Sequence, residues 1–130
     1  MAENGADFTL IFRLLSNISG TNTEKDTAIR SQFANPYHFD DWALRWRERL
    51  LLDGLREADR IELMCASNPK FIARNHLVQE VIESAEVGDF APLHTLAGIL
   101  ANPFQDQRVC ARFSSPPRSE QVVHQTFCGT

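Results

Sequence analysis

A chain of 130 residues, 43% hydrophobic and 23% charged, is long enough for one domain that buries about two-thirds of its extended surface, and too apolar to stay disordered. Its net charge of -4 and pI near 5.5 remove any global attraction to phosphate backbones or anionic lipid, so neither nucleic acid nor membrane is an expected partner. Cys65, Cys110 and Cys128 are odd in number, far apart and in no C-x-x-C pair, which fits neither a disulfide framework nor a zinc site.

The opening "MAENGADF" has two acids and no cationic stretch ahead of its first apolar turn, unlike a secretory signal. No apolar run approaches the roughly 18 to 20 residues that span a bilayer, and a cytoplasmic location is the expectation. Phe8, Ile11, Phe12 and Leu15 then fall at i, i+3, i+4 and i+7, with Ile18 one turn on. This spacing predicts an amphipathic helix ended by Gly20. Thr21 and Glu24 have capping-box spacing and predict a second, shorter helix carrying Ala28, Ile29 and Phe33.

Asn35-Pro36 stops one element and starts another, since asparagine caps a helix and proline is tolerated at its first position. The third helix presents Phe39, Trp42, Ala43, Trp46 and Leu50 as one stripe, with Arg45, Arg47, Glu48 and Arg49 around the rest. The tryptophan pair is expected to anchor the core. Gly54 marks a break, after which Leu55, Ala58, Ile61 and either Glu62 or Cys65 continue with helical spacing up to Asn68-Pro69.

"NPKFIARNHL" reads as a polar elbow in which Lys70 to Ala73 turn the corner and Arg74, Asn75 and His76 open a fifth helix, with stripe Leu77, Val78, Val81, Ile82 and Ala85. Gly88-Asp89 supplies a left-handed glycine followed by a capping aspartate. Leu93, Leu96, Ala97 and Leu100 form the sixth stripe, closed by Asn102-Pro103. Beyond Phe104 the periodicity fails. The expectation is an all-α fold, a single helical domain of about six helices over residues 1–104, with residues 105–130 an extended tail pinned to it by Val122, Val123 and Phe127.

Catalytic motifs are missing from this reading. No two glycines stand two residues apart, and G-x-x-x-x-G-K is absent, so no nucleotide loop can be written. His38, His76, His94 and His124 have no H-x-x-x-H partner. Glu80, Glu83 and Glu86 recur at three-residue intervals and read as the wet side of a helix; acid/base work would require burying them in a cleft. Arg45 and Arg49, one turn apart, are candidates to hold a phosphate or a partner's carboxylate; the plainer reading has their stems covering the tryptophans.

Taken together, "FDDWALRWRERL", "NPKFIARNHLVQEVIESAEVGDFAPL", "ANPFQDQ" and "TFCGT" resemble the carboxy-terminal part of the selenoprotein O family, proteins with a kinase-like fold. The resemblance runs from about Phe8 to Thr130, and "NPKFIARNHLVQE" followed by "GDF" is its most specific piece. It implies a protein adenylyltransferase that moves AMP from ATP onto protein hydroxyls with a divalent metal such as Mg. It also implies that the catalytic lysine, glutamate, aspartate and asparagine lie in an upstream kinase-like region absent here. On that basis the chain is an accessory piece with no catalytic, cofactor or metal residues of its own.

ATP and Mg are expected only for a full-length parent. The expected partner is the missing kinase-like domain or another protein, or a second copy in a homodimer, with Lys70, Arg74, Arg45 and Arg49 as docking cations. Some family members carry a selenocysteine or cysteine near the carboxy terminus, and Cys128 occupies that place, which implies a redox role in a full-length parent. Two rival readings are a free-standing helical interaction module and, more weakly, a hydrolase using Glu80, Glu83 or His76.

Overall fold

The structure is a computed structural model, and it describes residues 6–108 and 111–123. Cys110, His124, Phe127 and Cys128 lie outside the described residues, so the readings placed on them have no structural counterpart. Among the described residues there are six α-helices and no strand: α1 Phe8–Leu15, α2 Thr27–Arg30, α3 Pro36–Asp53, α4 Glu57–Ser67, α5 Asn75–Glu86 and α6 Ala91–Leu100. The fold is all-α. Contacts gather in two compact units, Met1–Pro69 and Lys70–Thr130, which divide at the Asn68-Pro69 helix stop.

In the first unit, α1 begins where the Asp7 carboxylate accepts from the Leu10 amide at 2.8 Å, satisfying a free helix-start donor. Ile11 and Leu15 from α1 join Ile18, Ile29, Phe39 and Ala43 in the core. At about 1.5 to 3 kcal/mol for each large apolar side chain buried, this cluster supplies the unit's main driving force.

The chain departs from its apolar pattern at four places in this unit. Helix α1 ends at Leu15, five residues before Gly20, because the next carbonyls are taken by other partners: Arg60 donates to Ser16 O at 3.4 Å and to Ile18 O at 2.6 Å. The expected Thr21/Glu24 capping box does not form. Instead the Thr21 and Asn22 amides both donate to Ser19 Oγ, and the Glu24 amide donates to Asn22 Oδ1, leading through a 3-10 turn at Glu24–Asp26 into α2.

The tryptophans do not anchor the core. Phe39 and Ala43 do that, at 2% and 1% exposed, while Trp42 is 37% exposed and stacks on half-buried Trp46 at the edge, with centroids 5.9 Å apart. Leu55 falls in the turn before α4 and is exposed, Ala58 on α4 faces solvent, and the buried residue of α4 is Arg60, 5% exposed. Its guanidinium lies 5.2 Å from the Trp46 ring centre, so a cation covers the face an aliphatic stripe was expected to fill.

Proline and glycine punctuate the helices as their chemistry requires. Asn35 caps α3 through its side chain on the Tyr37 amide, with Pro36 at the first position. Gly54 ends α3 at φ 67°, a left-handed conformation that strains any residue with a side chain.

The second unit gathers Phe71, Leu77, Leu96, Ile99 and Phe113 as its core, with Val78, Val81 and Leu100 against them. Gly88 at φ 85° turns the chain out of α5; the Asp89 carboxylate accepts from the Ala91 amide at 3.0 Å, but the cap position of α6 is taken by Phe90 rather than by the expected aspartate. Helix α6 is rotated from its expected face: Leu96 and Ile99 are buried, whereas Leu93 and Ala97 face solvent. Among the described residues past α6, short 3-10 turns lie at Ala111–Phe113 and Ser119–Gln121, and Phe113 enters the core.

Candidate functional site

Three helices of the first unit frame an apolar cleft of about 430 Å³. Ile11 and Leu15 of α1, Ile29 of α2 and Phe39 of α3 form its floor; Phe12, Phe33 and Trp42 form its walls. These side chains converge because α1 and α3 each place a large apolar residue every third or fourth position on the side facing α2. His38 and Arg45, one turn either side of Trp42 on α3, bring polar groups to the lining.

The candidate docking cations have different surroundings. Arg45 is exposed at the cleft and makes no ion pair with a carboxylate among the described residues. Arg49 is held along its own helix by Asp53 at 3.0 Å. Lys70 pairs with Asp106 at 2.8 Å, while its amide and that of Phe71 both donate to Pro103 O. Arg74 is 6% exposed and donates to Ser114 O at 3.0 Å. The elbow's cations thus fasten the second unit internally, whereas Arg45 makes no ion pair among the described residues, Asp41 standing one turn before it on α3.

The acidic row on α5 behaves as a wet face. Glu80 accepts twice from Arg112, at 2.7 and 3.0 Å, and Glu83 accepts from Gln79 at 3.0 Å. His76 is half-buried at the start of α5, with its Nδ1 enclosed and lacking a partner among the described residues. Burial, helped by the nearby Arg74 charge, holds its pKa below the ordinary histidine value. The shallow hollow beside it, about 310 Å³, is closed on its other side by Pro117, Gln121 and Val122. His76, Glu80 and Glu83 come together with Glu120 around a second open hollow of about 490 Å³, where Glu80 keeps 45% of its side chain exposed and Glu83 faces solvent. Among the described residues no cluster of three or more His, Cys, Asp or Glu is placed to hold a metal ion, and no helix is long and apolar enough to cross a membrane.

Sequence reasoning missed the polar junction where α1 ends. Arg47 donates to Ser19 O and, at 2.8 Å, to both oxygens of buried Asp26; Glu57 accepts from Ser19 Oγ at 2.9 Å and from the Gly20 amide at 3.2 Å. Those two hydrogen bonds hold the Glu57 carboxyl below the usual glutamate range, the Ser19 bond contributing most. The only signal was compositional, a serine- and glycine-bearing stretch followed by charged residues, and it carried no spacing.

The whole chain is similar to proteins named protein nucleotidyltransferase YdiU: 47% identical over 130 residues in Nitrobacter winogradskyi, 48% over 131 residues in Rhodopseudomonas palustris and 46% over 136 residues in Methylorubrum extorquens. Each alignment takes in 100% of this chain and 26 to 27% of the relative, so the chain spans about a quarter of the length of the curated relatives it matches. No family model matches it.

Proposed function

From a chain that matches the selenoprotein O family, the family of the YdiU nucleotidyltransferases, along its whole length, we propose a helical accessory part of a protein nucleotidyltransferase. It packs on a kinase-like catalytic part and does no chemistry itself. One observation carries the reading: all 130 residues align, yet they correspond to 26% of the relative. The reaction named for the relatives therefore has three-quarters of another chain in which to reside.

On this reading ATP and Mg bind the catalytic part, and the role assigned to Cys128 by the resemblance is exercised only beside it. Calorimetric titration of this chain with ATP and Mg is the test. No heat of binding is expected, and AMP should reach a protein substrate only when the remaining three-quarters of a relative are joined to the chain. AMP transfer by the 130 residues alone overturns the proposal.

A second reading, a free-standing helical interaction module, draws on the exposed leucines of α3: Leu44, Leu51 and Leu52 face solvent. A kinase-like reading frame directly upstream of the gene would remove it.

A further inference from the structure

The cleft of the first unit leaves aromatic side chains facing solvent above a closed core: Trp42 is 37% exposed, and Phe12 and Phe33 are half-buried. Ile11, Leu15, Ile29 and Phe39 are only 1 to 5% exposed, so the opening of about 430 Å³ is a surface hollow whose uncovered apolar area belongs to Phe12, Phe33 and Trp42. Water makes a poor filling, because an ordered water needs about two to four polar partners and the floor and walls here are aliphatic and aromatic. An apolar group fits. No aspartate or glutamate lines the cleft, and Arg45 stands at its edge without a carboxylate partner among the described residues. A segment with an acid beside an apolar anchor complements both the aromatic lining and the Arg45 charge.

We propose that the cleft seats an aromatic or branched aliphatic side chain, flanked by Asp or Glu, from the three-quarters of the relatives' length that this chain does not span. The proposal rests on the accessory reading and gives it a surface. That polypeptide is the occupant with the strongest claim, because in the relatives it is covalently joined to the matching quarter, which makes its entry into the cleft an intramolecular step. A carboxylate beside the anchor pairs with Arg45 and fixes which segment enters.

The test grafts this chain in place of the matching quarter of the Nitrobacter winogradskyi relative and puts a benzophenone-bearing residue at position 42. The expected cross-link joins position 42 to an apolar residue beside an acid in the remainder of the relative, and Arg45→Glu lowers its yield about tenfold, the weight of one desolvated ion contact. Hydroxyl-radical footprinting of the unsubstituted graft, where Trp42 should be protected relative to the isolated chain, gives the same answer without altering the cleft. A cross-link between two copies, or an unprotected Trp42 in a graft that melts in one transition, overturns the cleft assignment and leaves the accessory reading standing. Separate melting of the two parts, with Trp42 unprotected, overturns both.

Discussion

Arg13 and Arg60 close each other's helices. From the last turn of α1, Arg13 donates to Cys65 O and Asn68 O at the end of α4, at 3.0 and 3.2 Å; from α4, Arg60 donates to Ser16 O and Ile18 O just past the end of α1. Each guanidinium satisfies carbonyls that a helix end leaves open and meets the negative end of the other helix's dipole. Replacing either with leucine strands buried carbonyls, and urea unfolding should show a loss of about 2 to 4 kcal/mol for Arg60→Leu and about 1 to 3 for Arg13→Leu. The double variant should lose less than the sum, by at least about 0.5 kcal/mol, since both arginines stabilise one helix pair.

Phe39→Ala should cost about 3 to 5 kcal/mol, the range for emptying a core aromatic site. Trp42→Ala, despite removing the larger side chain, should cost about 1 kcal/mol because the ring lies at the edge. Thermal unfolding of the two variants side by side decides it; equal losses would return the tryptophan to the core.

Three glycines separate backbone from packing effects. Gly54 and Gly88 have positive φ and open space where a methyl group would stand, whereas Gly98 lies inside α6 with open space and an ordinary helical backbone. Alanine at Gly54 or Gly88 should destabilise by about 1 to 2 kcal/mol through strain alone. Alanine at Gly98 should stabilise by about 0.5 to 1 kcal/mol by restricting the unfolded chain. Opposite signs in denaturant midpoints are the expected result.

Acid should weaken the fold through Glu57. Its pKa is lowered on folding by the Ser19 and Gly20 hydrogen bonds, so the stability it contributes is complete above the ordinary glutamate value of about 4.5 and is lost as pH falls through the folded value. Glu57→Gln should flatten the acid limb of a stability-pH curve below that value and leave neutral pH less stable than the parent.

His76 acts at milder pH. Burial lowers its folded pKa, so below the ordinary value of 6.5 the unfolded chain binds the extra proton more readily. Stability therefore rises with pH through the interval between the folded value and 6.5 and is complete above it. His76→Gln should remove that slope, read as the melting temperature at several pH values below about 7.

Punctuation was legible in the sequence because its causes are local. Asn35-Pro36, Gly54, Asn68-Pro69, Gly88 and Asn102-Pro103 act through φ, a missing amide or a cap within a few residues, and the helices start or stop beside each of them. Helix faces were less legible where apolar residues surround the helix. "APLHTLAGIL" allows a stripe through Leu93 or one through Ile99, and only packing against Phe71, Leu77 and Phe113 selects the second. Arg60 was invisible for a different reason: a charged residue off the stripe reads as solvated, and its burial depends on carbonyls 42 and 44 residues away. Arg45 was identifiable as a charge, but the cleft beside it is a gap between three helices, and a gap has no spacing to read.

The Arg13 bond to Asn68 also fixes where the polypeptide can tolerate insertions and deletions. One residue added inside α4 would swing everything after it by about 100° around the helix axis, carrying the Cys65 and Asn68 oxygens away from the guanidinium that holds them. Extra residues in the exposed turn around Leu55 leave that register untouched. Gaps among homologous chains should therefore accumulate between α3 and α4 and be rare from residue 57 to the proline at 69.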